Sequence, residues 1–332
     1  MGTNRIHLAS NLILAAGMSC FGFLQAQSAQ TRAKVPTSIP RYQPAAAVKG
    51  PVDLIGTDAL ADLGEEWAAS FKKFHPESNL IFRPKLTKDA AKEFAAGTSL
   101  LIITAREFTP DETKAFQTKF GYMPMRIPIC LDSNIVFVNK NNPITSISME
   151  QLDAIYSANR QGGAKAPAVV WGDLGLKGEW AKLPIHAYTR EAGTATRVSI
   201  AEKVLLNGEF RPGILDRNDA SSLAEAVMTD QSGIAIATMA SWYFANKVLP
   251  VVPYRGEDAR LPTQENVTTS RYPMPRLYYA YLNREPGKPL PPVTNEIIHF
   301  LLTQEGQNAV ADTGLLPGPP EFITIALRRL SR

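Results

Sequence analysis

At 332 residues and 45% hydrophobic content, the chain can bury a substantial core and is long enough for two domains. One residue in five is charged and the net charge is +4, a balance that excludes a disordered polyelectrolyte. It also lacks the dense basic stripe of a nucleic-acid binder, since the Arg328–Arg329 pair is too short to serve as one.

Arg5 and His7 precede an apolar run from Leu8 to Leu24, and small residues follow from Ala26 to Ala29. This is the pattern of a signal peptide over residues 1–28, with cleavage after Ala26 or Ser28, and it implies a periplasmic or secreted protein. Asn11, Ser19 and Gly22 break the run, and no later segment is expected to span a membrane. Cys20 lacks the branched aliphatic residue three positions upstream that marks a lipid attachment site. Its loss with the signal leaves Cys130, in the apolar stretch Ile127-Pro128-Ile129-Cys130-Leu131, as a small buried hydrophobe without a disulfide partner. Residues 29–51 are rich in Ala, Gln, Ser and Pro without hydrophobic period, and read as a disordered linker.

Order is expected from the strand Val52–Gly56. Leu60, Leu63, Trp67, Phe71 and Phe74 recur at helical spacing and predict an amphipathic helix. Strands over 79–82 and 100–103 alternate with helices over 90–96 and from Thr109, where Pro110 occupies a first turn rich in acids. The same alternation continues with strands at 134–139, 183–188, 233–237, 248–252 and 277–282. The helices of this second stretch fall at 148–156, 196–206, 292–302 and 305–311. Strand–helix alternation of this kind predicts an α/β fold with largely parallel sheets, whose ligands bind beyond the carboxyl ends of the strands.

Several passages then resemble the phosphate-binding receptors of ABC transporters. Ile55-Gly56-Thr57-Asp58-Ala59-Leu60 resembles the family's first loop, and Leu101-Ile102-Ile103-Thr104-Ala105-Arg106 its strand ending in Met-Ser-Arg. Val136 to Pro143, the helix from Met149, and Val170-Trp171-Gly172-Asp173 follow in family order. Arg190-Glu191-Ala192-Gly193-Thr194-Ala195-Thr196 is similar to Arg-x-x-Gly-Ser-Gly-Thr, and Tyr272 to Arg276 with Thr303 to Gln307 complete the series. The resemblance covers roughly residues 52–316. It implies a type II periplasmic-binding fold of two α/β lobes joined by a two-segment hinge. Lobe I would comprise 52–131 and 277–320, and lobe II 132–276. It further implies a monomeric receptor for inorganic phosphate or a related oxyanion, an ABC permease as partner, and no cofactor.

The residues agree with that chemistry. An oxyanion needs many donors and a positive field, which a helix N-terminus supplies through its free N–H groups. Thr194, Ala195 and Thr196 lie between a predicted strand and a predicted helix, and Arg190 adds a planar fork of donors. Thr194 can equally be an ordinary helix cap. On the opposite wall Ala59 replaces the family's threonine, so that only the amides of Ala59 and Leu60 remain, while Asp58 is placed to cap that helix. Pro84-Lys85-Leu86-Thr87 stands for Gly-x-Gly-Ser and keeps a hydroxyl at Thr87; Lys85 and Lys88 read as solvated. Arg106 occupies a position where some members carry an aspartate that rejects sulfate. Arginine offers only donors, so sulfate is expected to compete, unless Arg106 is tied to Glu107 or Asp111.

No G-x-S-x-G elbow, H-E-x-x-H helix or zinc spacing is present, and His75, His186 and His299 are scattered singly, with His75 placed at the surface. An enzyme is therefore not expected. Trp171, Trp180 and Trp242 read as core. The other reading is a secreted or envelope interaction protein that has lost anion binding, for which Ala59, Leu86 and Ala105 speak.

Overall fold

The computed structural model describes residues 32–239, 241 and 247–331. The expected signal peptide and Trp242 lie outside the described residues. The chain opens with β1 (Gly50–Thr57), a 3-10 turn (Asp58–Leu60) and α1 (Ala61–Lys72). β2 (Ser78–Lys85), α2 (Thr87–Ala96), β3 (Leu101–Thr104) and α3 (Pro110–Phe120) complete the first alternating stretch. The stripe read from the sequence is the buried face of α1: Leu63, Trp67 and Phe71 are almost wholly inaccessible. Gly64 lets α1 approach the sheet, because a Cβ there would collide with the Phe82 ring at 2.1 Å.

β4 (Met125–Val138) joins two runs that look separate in the sequence. Asp132-Ser133-Asn134 interrupt the apolar pattern, but they do not interrupt the strand. β5 (Ile147–Ser148), α4 (Met149–Tyr156), β6 (His186–Arg190), α5 (Ala195–Lys203), β7 (Leu215–Arg217), α6 (Ala220–Thr229) and β8 (Gly233–Thr238) follow. The strand expected at 248–252 is split by Pro250, which has no N–H to donate, into β9 (Lys247–Leu249) and β10 (Val251–Val252). α7 (Gln264–Thr268), β11 (Pro275–Leu282), α8 (Pro292–Leu302), α9 (Gln304–Asp312), β12 (Leu316–Pro317) and α10 (Pro320–Leu330) close the chain.

The main sheet runs in the order β2-β1-β3-β11-β4-β8-β6-β7. Parallel pairs lie at each flank, β2 and β3 on β1, and β7 and β8 on β6. Antiparallel β11 and β4 connect them. The first half of β4 pairs with β11 and its second half with β8, so this one strand belongs to both halves of the sheet. Each half has its own core. One is built from β1, β3, α1, α8 and α9 around Trp67, Phe71 and Phe300, and the other from α4, β6, α6 and β8 around Tyr156 and Trp171.

The linker read as disordered is ordered from Arg32 onward, which corrects the compositional expectation. Isolated large residues in that stretch carry the order: Ile39, Tyr42 and Val48 are buried in the first core, and Ala33 is buried in the second. Tyr42 Oη donates to Glu296 Oε2 at 2.5 Å and meets His75 Nε2 at 2.7 Å, while the N–H groups of Ala45 and Ala46 donate to Glu296 Oε1. His75 is accordingly buried, at 3% exposure, and not at the surface. Burial lowers its pKa, against the opposing pull of Glu296.

Candidate functional site

The register of the sheet brings two sets of carboxyl ends together. β3 ends at Thr104 opposite Tyr279 and near the first residues of β11, whose Pro275 pairs with Ser133 at the middle of β4. From the other half, β8 ends at Thr238 opposite Asn134. The loops after β1, β3 and β6 and the end of β8 therefore converge from both sides on residues 132–134 of β4.

On one side stands the start of α5. Gly193 turns the chain at φ +86°, a conformation that favours glycine, and Thr194 becomes the N-cap. Its Oγ1 accepts from Arg197 N–H at 3.4 Å and donates to Glu191 O at 2.7 Å. The Thr194 N–H is itself bound to Glu191 O. Thr194 thus works as a cap, and among the described residues the first-turn N–H groups left without a partner are those of Ala195 and Thr196. Arg190, the last residue of β6, donates from Nη2 to Asn218 O at 2.6 Å, while its buried Nε has no hydrogen-bond partner among the described residues. Arg197 is held elsewhere, by Asp216 and over the Phe210 ring at 3.8 Å.

On the other side the 3-10 turn makes its first bond from Ala61 N–H to Asp58 O, so the N–H groups of Ala59 and Leu60 are first-turn donors without intrahelical partners. Asp58 does not cap this turn; Thr57 is the N-cap residue, and its Oγ1 donates to Asp58 Oδ1 at 3.3 Å. Thr87 is buried at the start of α2, where its Oγ1 accepts from Ala105 N–H at 3.3 Å and ties α2 to the end of β3. Lys85 is not simply solvated but pairs with Glu93, while Lys88 is exposed. The two sides approach closely: a Cβ on Gly193 would stand 3.7 Å from Leu86 Cδ1. Leucine, in place of the small residue of the resembled loop, lies at that approach.

Arg106 is bound to neither Glu107 nor Asp111 through a carboxylate. Its Nη1 and Nη2 form a two-pronged pair with Glu112 at 2.7 and 2.8 Å, and Nη1 also donates to the Glu107 carbonyl. Glu112 is the N3 residue of the capping box that opens α3, so one carboxylate serves cap and arginine together. Burial would raise the Glu112 pKa, but hydrogen bonds from Arg106 and the Thr109 N–H hold it below the usual range. With that fork occupied, the sulfate competition expected from Arg106 loses its structural basis.

Between the two sides lies a buried polar floor. Asp132 is fully inaccessible, and its Oδ2 accepts from Arg276 Nε at 2.8 Å, from Arg276 Nη2, and from Tyr278 Oη at 2.9 Å. Its Oδ1 accepts from the N–H groups of Ser133 and Met239. Asn134 Nδ2 meets Ser199 Oγ on α5 at 2.9 Å.

Comparison with known proteins places this arrangement. Residues 41–305 match the PBP superfamily domain. The chain is 31% identical over 303 residues to the phosphate-binding protein PstS of Pseudomonas aeruginosa, covering 91% of this chain and 94% of that protein. The chain belongs to the PBP superfamily, among the PstS-like proteins. It is also 25% identical to protein SphX of Synechococcus elongatus over 90% of this chain and 86% of that protein. An ABC-type phosphate transport receptor from Vibrio cholerae shares the fold with a TM-score of 0.62 at 20% identity, over 80% of this chain and 99% of that one. The type II PBP architecture accounts for the two parallel strand sets joined by β4 and β11.

Within this PstS-like fold, the expected residues Arg190, Thr194, Ala195, Thr196, Ala59 and Leu60 all lie at the loops where the strand ends converge, with Thr87 and Arg106 flanking them. The sequence reading missed Asp132, Asn134 and Arg276. Three consecutive polar residues inside an apolar strand were the available signal, because burial makes such residues costly unless they are paired. Among the described residues no helix is long and apolar enough to cross a membrane, and no group of three or more His, Cys, Asp or Glu could hold a metal.

Proposed function

We propose that this chain is an exported solute-binding protein that captures an inorganic oxyanion, phosphate foremost, between two lobes for uptake or sensing. Residues 52–131 and 277–320 form lobe I, residues 132–276 form lobe II, and β4 and β11 carry the hinge. The observation that carries the reading is the convergence of Arg190 and the free Ala195 and Thr196 N–H groups on the meeting point of the strand ends. Such a site provides directed donors and a positive field without a metal, a nucleophile or a cofactor. The Ala59 and Leu60 N–H groups supply the opposing wall and Thr87 its hydroxyl, with Arg106, paired to Glu112, beside them.

The relatives are named as binding proteins and transport receptors, which supports a receptor and not an enzyme. It also supports a periplasmic location and an ABC permease as partner. The interaction-protein reading is not favoured, because the likeness to a phosphate-binding relative extends over nearly the whole chain and the α5 donors are retained. Calorimetric and thermal-shift titration with phosphate, arsenate and sulfate tests the proposal. Phosphate at about 100 times its Kd should stabilise the protein by about 2.7 kcal/mol. A chain that no oxyanion stabilises would be the interaction protein instead.

A further inference from the structure

We propose that Arg276 is a further anion-binding residue, reaching the oxyanion from the floor of the cleft through its Nη1. The inference rests on the oxyanion reading of the site and adds a donor that neither the motif nor the helix start supplies.

Arg276 is the second residue of β11 and pairs across the ladder with Asp132. It therefore lies where the carboxyl ends of β1 and β3 meet those of β6 and β8. The side chain is 4% exposed, and two of its three guanidinium nitrogens are directed by Asp132. Asp132 and Tyr278 are themselves fully engaged with one another and with the Ser133 and Met239 N–H groups. Nη1 alone has no hydrogen-bond partner among the described residues. Buried orphan donors are rare because each forfeits its hydration without return, and one held in position by a fixed ion pair is a prepared donor for a ligand. Burial opposes the charge on Arg276, and Asp132, Tyr278 and Asp58 more than offset it. Asp58 heads the turn that presents the Ala59 and Leu60 N–H groups, so Arg276 lies within electrostatic reach of that wall.

Because Asp132 neutralises the pair, Arg276 contributes a directed donor and no net charge. Replacing it by lysine keeps the ion pair and removes the fork. The test measures phosphate affinity by calorimetry, and thermal midpoints with and without phosphate, for the unmodified mature protein, Arg276→Lys and the double change Asp132→Asn with Arg276→Gln. The double variant carries no charge at this buried pair, and it keeps the question open to test if Arg276→Lys fails to fold. We expect affinity to fall about tenfold or more, the worth of one hydrogen bond to a charged group, and the phosphate-induced rise in midpoint to shrink. Unchanged affinity in a folded variant, with both midpoints lowered equally, would make Arg276 a purely structural residue and overturn the proposal. Loss of binding in Arg190→Met but not in Arg276→Lys would overturn this inference alone. Failure of the unmodified protein to bind phosphate would overturn the oxyanion reading beneath it.

Discussion

Arg190 and Arg106 show how differently two arginines can end. Arg190 sits at the end of β6 with one nitrogen on a carbonyl and a buried Nε without a partner among the described residues, so the proposed anion would meet a guanidinium with donors to give. Arg190→Met should weaken phosphate binding by about 2–5 kcal/mol, the usual cost of removing one partner of a desolvated charge pair. Calorimetry on the folded variant checks it, and an unaltered affinity would take Arg190 out of the site. Arg106, by contrast, is structural first, locked to Glu112 at the head of α3. The folded-state pKa of Glu112 is held below its unfolded value, so its contribution to stability is present above the unfolded pKa and is lost as pH falls through the folded one. Glu112→Gln should therefore cost about 1–3 kcal/mol at neutral pH, and this difference should fade at an acid pH below the folded pKa, where the carboxylate is protonated in both states. Denaturant unfolding at the two pH values measures it. Equal destabilisation at both would mean that the charge of Glu112 contributes nothing.

At the level of elements, the segment from Arg32 to Lys49 is a strap across both cores. Gln264 of α7 exchanges hydrogen bonds with the Lys34 backbone on one side, and Gln304 and Glu305 of α9 bind the Ile39 carbonyl and the Tyr42 N–H on the other. Its latch is Tyr42 against His75 and Glu296. Tyr42→Phe should cost about 1–3 kcal/mol, because it leaves Glu296 and His75 buried and short of a partner. The latch is also sensitive to pH. His75 Nδ1 accepts from Val48 N–H, which requires a neutral ring, and burial lowers the pKa of that ring. Its stabilisation is complete above the unfolded value, near 6.5, and diminishes as pH falls below it. Hydrogen exchange over residues 32–49 should accelerate on moving from about pH 7.5 to about pH 5.5, and His75→Gln should flatten that dependence. An exchange profile insensitive to pH in the unmodified protein would count against the latch.

For the molecule as a whole, the decisive feature is that one strand serves two cores. β4 and β11 carry the connection, and Leu86 closely approaches Gly193 across the gap. An anion held from both walls would favour the conformation in which both sets of donors reach it, so phosphate should close the lobes by hinge motion. Solution scattering should show a smaller radius of gyration at saturating phosphate. Superimposable curves would argue that the strap and the loop contact hold the halves fixed.

Much of this architecture was legible in the chain itself. The stripe of α1, the apolar run Leu101–Ile103 of β3, the alternation of strands and helices, and the Gly193–Thr196 turn before a helix are local patterns, set by residues a few positions apart. Those positions also located the proposed anion site, because a helix start is a property of its own sequence. What the chain alone could not reveal depends on residues brought together from far apart. The fusion of two apolar runs into β4 needed β11 and β8 alongside to pair its polar middle. The order in residues 32–49 depends on Glu296 and His75, and the fate of Arg106 on which of three nearby acids would reach it. Asp132 and Arg276 are 144 positions apart. Their pairing, and the donor it leaves over, exist only once the sheet has formed, because burial alone makes an unpaired polar atom expensive enough to notice.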